Sequence, residues 1–382
     1  MVNTFTAASG TNYYGATIFA TTPVEQIDFA PGLAVAKFAA SQFNNSQISS
    51  SVVIFASSPA DTEVVEVAMN AFDGSFSIAG WSFLGFVGEG GTDGPDQVHI
   101  VGSSAPDIIT GNDQSGLIEV IEGGLGTDEL HGGGANDVFV YSNPGDIEPG
   151  EVISGGGGSN SIRLDGVGSS FDFTGAIISS VTELDIVSGN TSATFTGSQI
   201  QMAGITLVAD EFSLGDETLI VNGSSVNLSG VTFQNWSASD RVLINGTTSS
   251  DMLIGAAVSN IIDGGPGNDS LVGGAGADRF VFDTALNKLT NVDHIANFQQ
   301  GIDKIALSRH IFGANLAVNV HTFHAAHGAK AGADADDRIV YNKTTGALYF
   351  DKDGAGGAAA IKFAVLDAHP ANLSPHDFVL VA

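Results

Sequence analysis

The sequence predicts an all-β fold, namely a right-handed parallel β-solenoid with two β-roll blocks and a C-terminal mixed capping region. Two glycine-aspartate blocks contain tandem nine-residue units, and short runs rich in Ile, Val, Phe and Thr are separated by Gly, Ser, Asn and Asp. Helical periodicity is missing through residue 282. Many short strands leading in register into a roll favour a solenoid, and a β-sandwich preceding each roll is the alternative.

The two blocks are GGLGTDELHGGGANDVFVY at residues 123–141 and GGPGNDSLVGGAGADRFVF at residues 264–282. Each holds two consecutive units of the form G-G-x-G-x-D-x-U-x, where U is a large apolar residue. The first six residues form a turn, because glycine adopts positive φ angles and leaves its carbonyl accessible. The last three form a short strand. Carboxylate and carbonyl oxygens are the ligands of calcium, which takes about 6–8 of them.

Two units complete one coil of 18 residues, so a bound ion is expected to bridge residues 18 apart. Polar residues recur at this spacing, although the first of the following pairs requires residues 114–116 to loop out. The pairs are Asp107 with Asp128, Glu119 with Asp137, Asp251 with Asp269, and Asn260 with Asp278. Asp107, Glu119, Asp251 and Asn260 have an alternative role, which is to shape turns without touching metal.

With the carbonyls of the turns added, the sequence predicts several calcium ions held by two sets of ligands. The first set is Asp107, Glu119, Gly124, Gly126, Asp128, Gly133, Ala135 and Asp137. The second set is Asp251, Asn260, Gly264, Gly265, Gly267, Asp269, Gly273, Gly274, Gly276 and Asp278. GGGGSNSIR at residues 155–163 resembles one degenerate unit, with Asn160 in place of Asp.

The large apolar residues of the units recur every nine positions and are expected to stack inside the coil. They are Ile109, Ile121, Leu130 and Phe139 in the first block, and Leu253, Ile262, Leu271 and Phe280 in the second.

The chain also repeats itself at long range. Residues 24–43 resemble residues 181–200 at an offset of 157, and each copy continues through a tryptophan, Trp81 or Trp236, into a roll. The matched placement of the two tryptophans predicts core packing, with a ligand platform as the alternative. The predicted segments are 1–100, β-rich; 101–164, first roll; 165–245, second β-rich; 246–282, second roll; and 283–382, C-terminal cap.

Composition excludes several classes of protein. The 382 residues are 43% hydrophobic, enough for a substantial core, yet the net charge is −30. Residues 1–240 carry 28 acids and two basic residues, so no basic stripe for nucleic acid exists there. Cysteine is absent, which excludes disulfides and thiolate metal sites. The N-terminus does not read as a secretory signal peptide, and no apolar stretch of about 18 residues predicts a membrane span.

The nonapeptides make the chain resemble bacterial RTX, or hemolysin-type calcium-binding, proteins, which are exported by type I secretion. The segments FVFDTALNKLTNVDHIANF and DRIVYNKTTGALYFDKDGAGG are similar to those that follow the roll in many such proteins. The terminal DFVLVA is similar to their uncleaved export signals, so residues 283–382 are expected to hold the secretion signal too. The resemblance covers residues 246–382 well and the first roll fairly well.

The resemblance implies a folding switch. In low-calcium cytosol the acidic rolls stay loose, and outside the cell roughly 10⁻⁴–10⁻³ M calcium suits weak extracellular sites. It implies a bacterial protein that is secreted, extracellular or at the cell surface. Its expected partners are calcium, the type I secretion machinery, and a surface polysaccharide or further copies of itself.

Motifs of the catalytic members of this family are missing. There is no H-E-x-x-H for a zinc protease and no G-x-S-x-G nucleophile elbow, and Lys or Arg for a lyase is scarce before residue 240. The first hypothesis is therefore a non-enzymatic calcium-binding scaffold. The alternatives are a carbohydrate-active enzyme or polysaccharide-binding module, and the C-terminal part of a larger enzyme. A carboxylate-lined groove with aromatic walls would favour the enzyme, and a flat repetitive face the scaffold.

Two further motifs suggest metal sites. His321, His324 and His327 lie three apart, and Asp351 and Asp353 in DKDGAGG resemble the start of an EF-hand loop. Polar surface histidines and a hairpin end are the alternative interpretations.

Overall fold

The structure is a computed structural model, and it describes residues 4–7, 11–12, 24–29, 34–44, 48–56, 62–86, 96–200, 204–210 and 215–382. Much of the N-terminal segment on which the signal-peptide expectation depends lies outside the described residues. The chain forms two compact units. The first holds residues 1–191 and 206–215, and the second holds residues 192–205 and 216–382.

Short strands make up most of the described chain. Up to residue 186 they are β1 (Thr4–Ala7), β2 (Thr11–Asn12), β3 (Val24–Phe29), β4 (Ala34–Ala39), β5 (Ile48–Phe55), β6 (Glu63–Ala68), β7 (Ser75–Ser77), β8 (Ser82–Leu84), β9 (Gln97–Val101), β10 (Ile108–Asn112), β11 (Ile118–Glu122), β12 (Glu129–Gly133), β13 (Asn136–Tyr141), β14 (Val152–Ser154), β15 (Ser161–Leu164), β16 (Ser170–Asp172), β17 (Ile177–Ser179) and β18 (Glu183–Ile186).

The strands after residue 186 are β19 (Ser192–Thr196), β20 (Thr206–Ala209), β21 (Thr218–Asn222), β22 (Ser225–Asn227), β23 (Thr232–Gln234), β24 (Arg241–Asn245), β25 (Met252–Ile254), β26 (Asn260–Asp263), β27 (Ser270–Val272), β28 (Arg279–Phe282), β29 (Asp293–Ile295), β30 (Lys304–Ser308), β31 (Phe323–Ala326), β32 (Ile339–Asn342), β33 (Ala347–Phe350), β34 (Ile361–Leu366) and β35 (Phe378–Val381). Helices are short: α1 (Ala40–Asn44), α2 (Gly197–Ile200), α3 (Arg309–Phe312), and the 3₁₀ turns Pro144–Asp146 and Pro375–Asp377.

Strands of the first unit stack in parallel, each pairing with the equivalent strand one coil later. One sheet has the order β1-β3-β5-β8, a second β17-β14-β12-β10-β7, and a third runs from β2 through β4, β6, β9, β11, β13, β15 and β18 to β20. Because the described pairs from β1 to β9 are all parallel, the sandwich alternative is wrong for this segment. The predicted parallel β-solenoid is confirmed.

The second unit repeats the parallel arrangement and then becomes a mixed sheet with antiparallel strands. Strands β19, β21, β24, β26, β28, β30 and β35 pair in that order, and a second sheet has the order β22-β25-β27-β29-β34-β33-β32-β31. Strands β32 and β33 are antiparallel around the turn KTTG, which confirms the predicted hairpin and the mixed character of the C-terminal region. Four residues of DFVLVA form β35, which pairs with β30.

The predicted core residues meet across neighbouring coils. Ile109 lies opposite Leu130 and Ile121 opposite Phe139 in the first roll. Leu253 lies opposite Leu271 and Ile262 opposite Phe280 in the second. Each of these side chains is fully buried, because period-two alternation sends every second residue of a strand inward. This confirms the predicted apolar stack.

The long-range repeat is also visible as shared hydrogen bonds. The amide of Ala39 donates to Oε1 of Gln42 at 2.8 Å, and the amide of Thr196, 157 residues later, donates to Oε1 of Gln199 at 2.7 Å. Each glutamine lies in a single helical turn, α1 or α2. One helical turn held by a side chain is too short to produce helical periodicity, which agrees with its absence from the sequence through residue 282.

A second repeat, which the sequence analysis missed, corrects the pairing of the two tryptophans. The segments SFSIAGW, SFDFTGA and SVNLSGV each close with an amide donating to the carbonyl three residues earlier, from Trp81, Ala176 and Val231. Trp81 therefore corresponds to Val231, not to Trp236. Trp236 packs edge-on against Phe233 as Phe86 packs against Phe83. Trp81 is core, at 4% exposure, and Trp236 is half-buried.

Candidate metal centre

The predicted acids stack at the corners of the coils, at or beside the start of a strand. We call these stacks the corner columns. In the first unit they are Asp107–Asp128–Glu151 and Glu119–Asp137–Asn160, and in the second unit they are Asp251–Asp269–Asp293 and Asn260–Asp278–Asp303. All twelve residues are buried. The structure thus brings together every polar pair that the sequence predicts.

Each column in the second unit is a ladder of amide-to-carboxylate hydrogen bonds. The amide of Asp251 donates to Oδ1 of Asp269 at 2.9 Å, and the amide of Asp269 donates to Oδ1 of Asp293 at 3.1 Å. Asn260, Asp278 and Asp303 repeat this with 2.9 and 3.1 Å. Every step therefore places one carboxylate oxygen on the backbone amide of the preceding coil and leaves the other oxygen for a different partner.

The Asp107–Asp128–Glu151 column of the first unit follows the same rule over longer coils. The amide of Asp107 donates to Oδ1 of Asp128 at 2.8 Å, although the two are 21 residues apart. The predicted loop explains the difference, since residues 114–116 form a turn in which the amide of Leu117 donates to the carbonyl of Gln114. Gln114 itself bonds both backbone groups of Phe83, which anchors the loop.

Three corner acids escaped the sequence analysis: Glu151, Asp293 and Asp303. They follow coils of 23 to 25 residues, which the nine-residue repeat does not reach. A weaker signal marks them. Each precedes an apolar residue by two positions, as in Glu151-x-Ile153, which is the D-x-U part of the unit without its glycines. Tyr141 donates its hydroxyl to Glu151 at 3.1 Å.

Several of the corner acids have a carboxylate oxygen that is buried without a donor. Within the described part of the chain, no hydrogen-bond partner exists for Oδ1 of Asp107 or for Oδ2 of Asp128, Asp269 and Asp278. The described ion pairs do not include these acids either. Buried polar atoms of this kind cost about 1–3 kcal/mol each, and more when charged. Such oxygens are the first requirement of a cation site.

The glycines of the units make room for these oxygens. A Cβ atom built on Gly264 would overlap Oδ2 of Asp269, and one built on Gly273 would overlap Oδ2 of Asp278. Gly123 and Gly132 stand in the same relation to Asp128 and Asp137. Neither Gly123 nor Gly132 was among the predicted ligands. Their conformational freedom matters less than the missing side chain, since neither has a positive φ.

Carbonyl oxygens converge on the same space. A Cβ on Gly246 would overlap the carbonyl oxygen of Gly264, one coil later, and a Cβ on Gly255 would overlap that of Gly273. Gly267 leaves room for Oδ1 of Asp269 and the carbonyl of Ser249. Ala135, which replaces a glycine in the first block, is buried. The predicted glycines with a positive φ are Gly124, Gly126, Gly133, Gly265, Gly274 and Gly276.

Four of the predicted carbonyl ligands already accept hydrogen bonds, namely those of Gly133, Gly265, Gly273 and Gly274. The carbonyl of Gly133 accepts from the amide of Gly157 at 2.6 Å, and that of Gly274 accepts from Nδ2 of Asn297 at 3.0 Å. A carbonyl oxygen has two lone pairs, so that of Gly133 keeps one for a metal, whereas that of Gly274 also accepts from Nε2 of Gln299 at 3.4 Å.

The asparagines of the columns use their amide nitrogen where a cation would lie. Nδ2 of Asn260 donates to Oδ1 of Asp278 at 2.9 Å, and to the carbonyls of Gly273 at 3.0 Å and Val258 at 2.5 Å. Nδ2 of Asn160 donates to the carbonyls of Gly157 and Ser180 at 2.8 and 2.9 Å. The partially positive side-chain NH2 group of each asparagine thus donates hydrogen bonds to oxygens that would otherwise face a cation.

Burial without a counter-charge shifts the titration of the corner acids. The pKa of Asp128 is raised to about 7, chiefly by burial; the hydrogen bond from the Asp107 amide lowers it and the nearby charge of Asp107 raises it. Burial raises the pKa of Glu151 to about 7 and that of Asp278 to about 6. For the close pair Glu119 and Asp137, burial raises the pKa of both carboxyl groups, and the charge of Asp137 raises that of Glu119 further.

This donor set fits calcium. Carboxylate and carbonyl oxygens are hard ligands, and no thiol is present in the chain. Among the described residues, no three His or acidic side chains converge on one point. An ion at a corner would therefore take two carboxylates from successive coils and most of its remaining ligands from the backbone.

The same result disfavours the histidine site. His324 lies 4.0 Å from Asp337, while His327 faces the hydroxyl of Thr344 at 3.3 Å. In DKDGAGG, Asp351 accepts from the amide of Gly332 at 2.9 Å and Asp353 from that of Ala358 at 3.0 Å. These two carboxylates shape turns.

Comparisons with known families agree with this geometry. Residues 213–366 match the family described as Peptidase M10 serralysin C terminal, and residues 114–143 match the RTX calcium-binding nonapeptide repeat (4 copies). Each match contains one of the two glycine-aspartate blocks. A comparison with curated proteins finds no match. None of the helices in the described residues has the length and apolar character to cross a membrane.

Proposed function

We propose that calcium completes the corner columns of this chain outside the cell, as in the calcium-binding RTX proteins of the type I secreted class that its two matched segments indicate, and that the folded solenoid is the functional product. That product is a structural scaffold, or a scaffold for interactions at the cell surface or in the matrix. The observation that carries the proposal is the stacking of buried carboxylates, coil upon coil, with oxygens that no donor in the described chain satisfies.

The proposed ligands follow from the columns. Three pairs supply carboxylates from successive coils: Asp107 with Asp128, Asp251 with Asp269, and Glu119 with Asp137. Carbonyls of the adjacent glycine turns complete the shell, and Glu151, Asp293 and Asp303 extend the columns by one coil each. Binding couples to folding, because only the stacked coils bring these oxygens together.

One face of the first unit favours a scaffold over an enzyme. In the first unit, the outward residues of β13, β15 and β18 line a depression of about 220 Å³ that includes Arg163, Glu183 and Asp185. Arg163 pairs with Asp185 at 3.3 Å, and no aromatic residue lines the depression. Such a shallow, repetitive face differs from the aromatic-walled carboxylate groove expected of a glycosidase.

The test is a calcium titration of the full chain from a chelated state, followed by circular dichroism and light scattering. We expect calcium in the 10⁻⁴–10⁻³ M range to produce a cooperative gain of β structure and a melting temperature higher by several degrees. Assembly or surface binding without turnover of polysaccharides would then support the scaffold role. A melting curve that chelator leaves unmoved would contradict the folding step.

A further inference from the structure

A cavity in the described part of the second unit lies away from the corner columns. Its volume is about 870 Å³, within the range of roughly 300–1,000 Å³ that small-molecule sites occupy. One wall is the loop that follows α3, residues 313–319, and the other is the end of the β32–β33 hairpin. The opening is wide, so a ligand can enter without a change of the backbone.

The loop wall is fixed by side chains before any ligand binds. Nη1 of Arg309 donates to the carbonyls of Ala314 and Leu316, both at 3.1 Å. The hydroxyl of Thr322 donates to the carbonyl of Ala317 at 2.5 Å and accepts from the amide of Asn319 at 3.0 Å. A wall that is already ordered lowers the entropy cost of binding.

Two cationic side chains face this cavity from the hairpin. Arg338 is half-buried, and its Nη1 donates to the carbonyls of Ala335 and Asp337 at 2.9 and 2.7 Å. These bonds orient the guanidinium and leave Nε and Nη2 available for one carboxylate. Lys352 is exposed, and neither cation has an ion-pair partner among the described residues.

The remaining lining combines an apolar floor with polar groups at the rim. Phe312 and Phe350 pack edge-to-face at 5.2 Å, and Phe350 is half-buried. Exposed Asn315, Asn319 and Asp336 supply amide and carboxylate groups. Aromatic carbon below and short polar side chains around the edge match a sugar ring, which has an apolar face and a rim of hydroxyls.

We propose that this cavity binds a short acidic saccharide, with its carboxylate on Arg338 and Lys352 and one ring against Phe350. Asp336 accepts hydrogen bonds from ring hydroxyls, and Asn315 and Asn319 serve as donors and acceptors. A fatty acid fits less well, because its chain would strip water from the polar rim without replacing the hydrogen bonds. The site shares no residue with the corner columns, so it goes beyond the scaffold role proposed above.

The test is calorimetric titration of the calcium-loaded full chain with a trisaccharide of glucuronic acid. Its methyl ester, a neutral trisaccharide and a medium-chain fatty acid are titrated in parallel. We expect binding of the acid form at least tenfold tighter than that of the ester, because a hydrogen bond to a charged group is lost with esterification. Equal binding of ester and acid, or preference for the fatty acid, would overturn the proposal.

Variants locate the site. Lys352→Ala and Arg338→Lys should each weaken binding of the acidic trisaccharide about tenfold. Lys330→Ala removes an exposed lysine outside the cavity lining and should change nothing. The melting temperature in calcium shows whether each variant is folded. Failure of calcium to fold the chain would count against the proposed function, whereas a folded chain that ignores the trisaccharide would count against this site alone.

Discussion

The backbone amide of Asp251 donates a hydrogen bond of 2.9 Å to Oδ1 of Asp269, which lies 18 residues further along the chain. One carboxylate oxygen thereby fixes the register of two coils, and the other, Oδ2, is buried without a donor in the described residues. The same carboxylate is therefore both a structural element of the backbone and half of a cation site. This double role explains why folding and calcium binding are expected to be one event.

Removal of a corner charge should remove part of the calcium response. Asp269→Asn keeps an oxygen for the amide of Asp251 but lowers the charge facing the ion, so we expect a smaller calcium-induced rise in melting temperature. The loss should correspond to several kcal/mol at saturating calcium, since a site with fewer charged ligands binds more weakly. Asp283→Asn, which changes an exposed acid outside the columns, is the matched control. Identical calcium responses in both variants would rule out Asp269 as a ligand.

A methyl group at a glycine of the repeat should weaken calcium binding by occupying the space of a carboxylate oxygen. In Gly264→Ala the new Cβ collides with Oδ2 of Asp269, so the calcium midpoint measured by circular dichroism should rise about tenfold or more. Gly230→Ala meets nothing within 4 Å and should leave the midpoint unchanged. If both alanine variants shift the midpoint alike, a general loss of glycine flexibility is responsible and the carboxylate space is not.

Asn260→Asp should replace hydrogen bonds from an amide nitrogen with a carboxylate that binds a cation. The wild-type amide nitrogen donates to Oδ1 of Asp278 and to three carbonyls, whereas a carboxylate would repel Asp278 until a cation binds. We expect a lower melting temperature than wild type in chelator, a higher one in calcium, and tighter binding at that corner by isothermal calorimetry. A variant that is destabilised in both conditions would show that the amide is needed for packing alone.

The calcium-free form should become more stable as the pH falls. Asp128 and Asp278 have an ordinary pKa of 3.8, and Glu151 one of 4.5, while folding raises these to about 7, 6 and 7. The folded state then binds protons more tightly than the unfolded state. Its stability is greatest below about pH 4 and is lost as the pH rises through 6 to 7. Scanning calorimetry in chelator should show a melting temperature a few degrees higher at pH 5 than at pH 8.

Saturating calcium should reverse the sign of this dependence. Calcium binds only the deprotonated carboxylates, so acid competes with the ion. The calcium-loaded chain should therefore melt at a lower temperature at pH 5 than at pH 8. Parallel slopes with and without calcium would mean that the corner acids do not carry the metal.

Much of the fold was readable because the nine-residue unit combines two local signals. Glycine at fixed positions specifies the turn, and one large apolar residue per strand specifies the inward face, so Leu271 and Phe280 could be placed in the core before any coordinates. The parallel arrangement before the first roll was less certain. Strands of three to six residues alternate in the same way in a sandwich and in a solenoid.

The misses share a physical cause. Glu151, Asp293 and Asp303 follow coils of 23 to 25 residues, and a periodic pattern loses its phase when loop lengths vary. Trp81 and Trp236 looked equivalent by order along the chain. Their backbone hydrogen bonds assign Trp81 to the position of Val231, because side-chain identity at a core corner varies while the turn geometry persists.

Sequence by itself determined the fold class, the repeat, the inward apolar residues and the acids at the perfect corners, since each depends on neighbours within one coil. Only the tertiary structure decided which acids from imperfect coils join the columns, which oxygens remain unsatisfied, and that a loop and a hairpin end enclose a cavity. Those relations join residues that are brought together by coil stacking and chain return, and spacing along a chain does not encode distance across it.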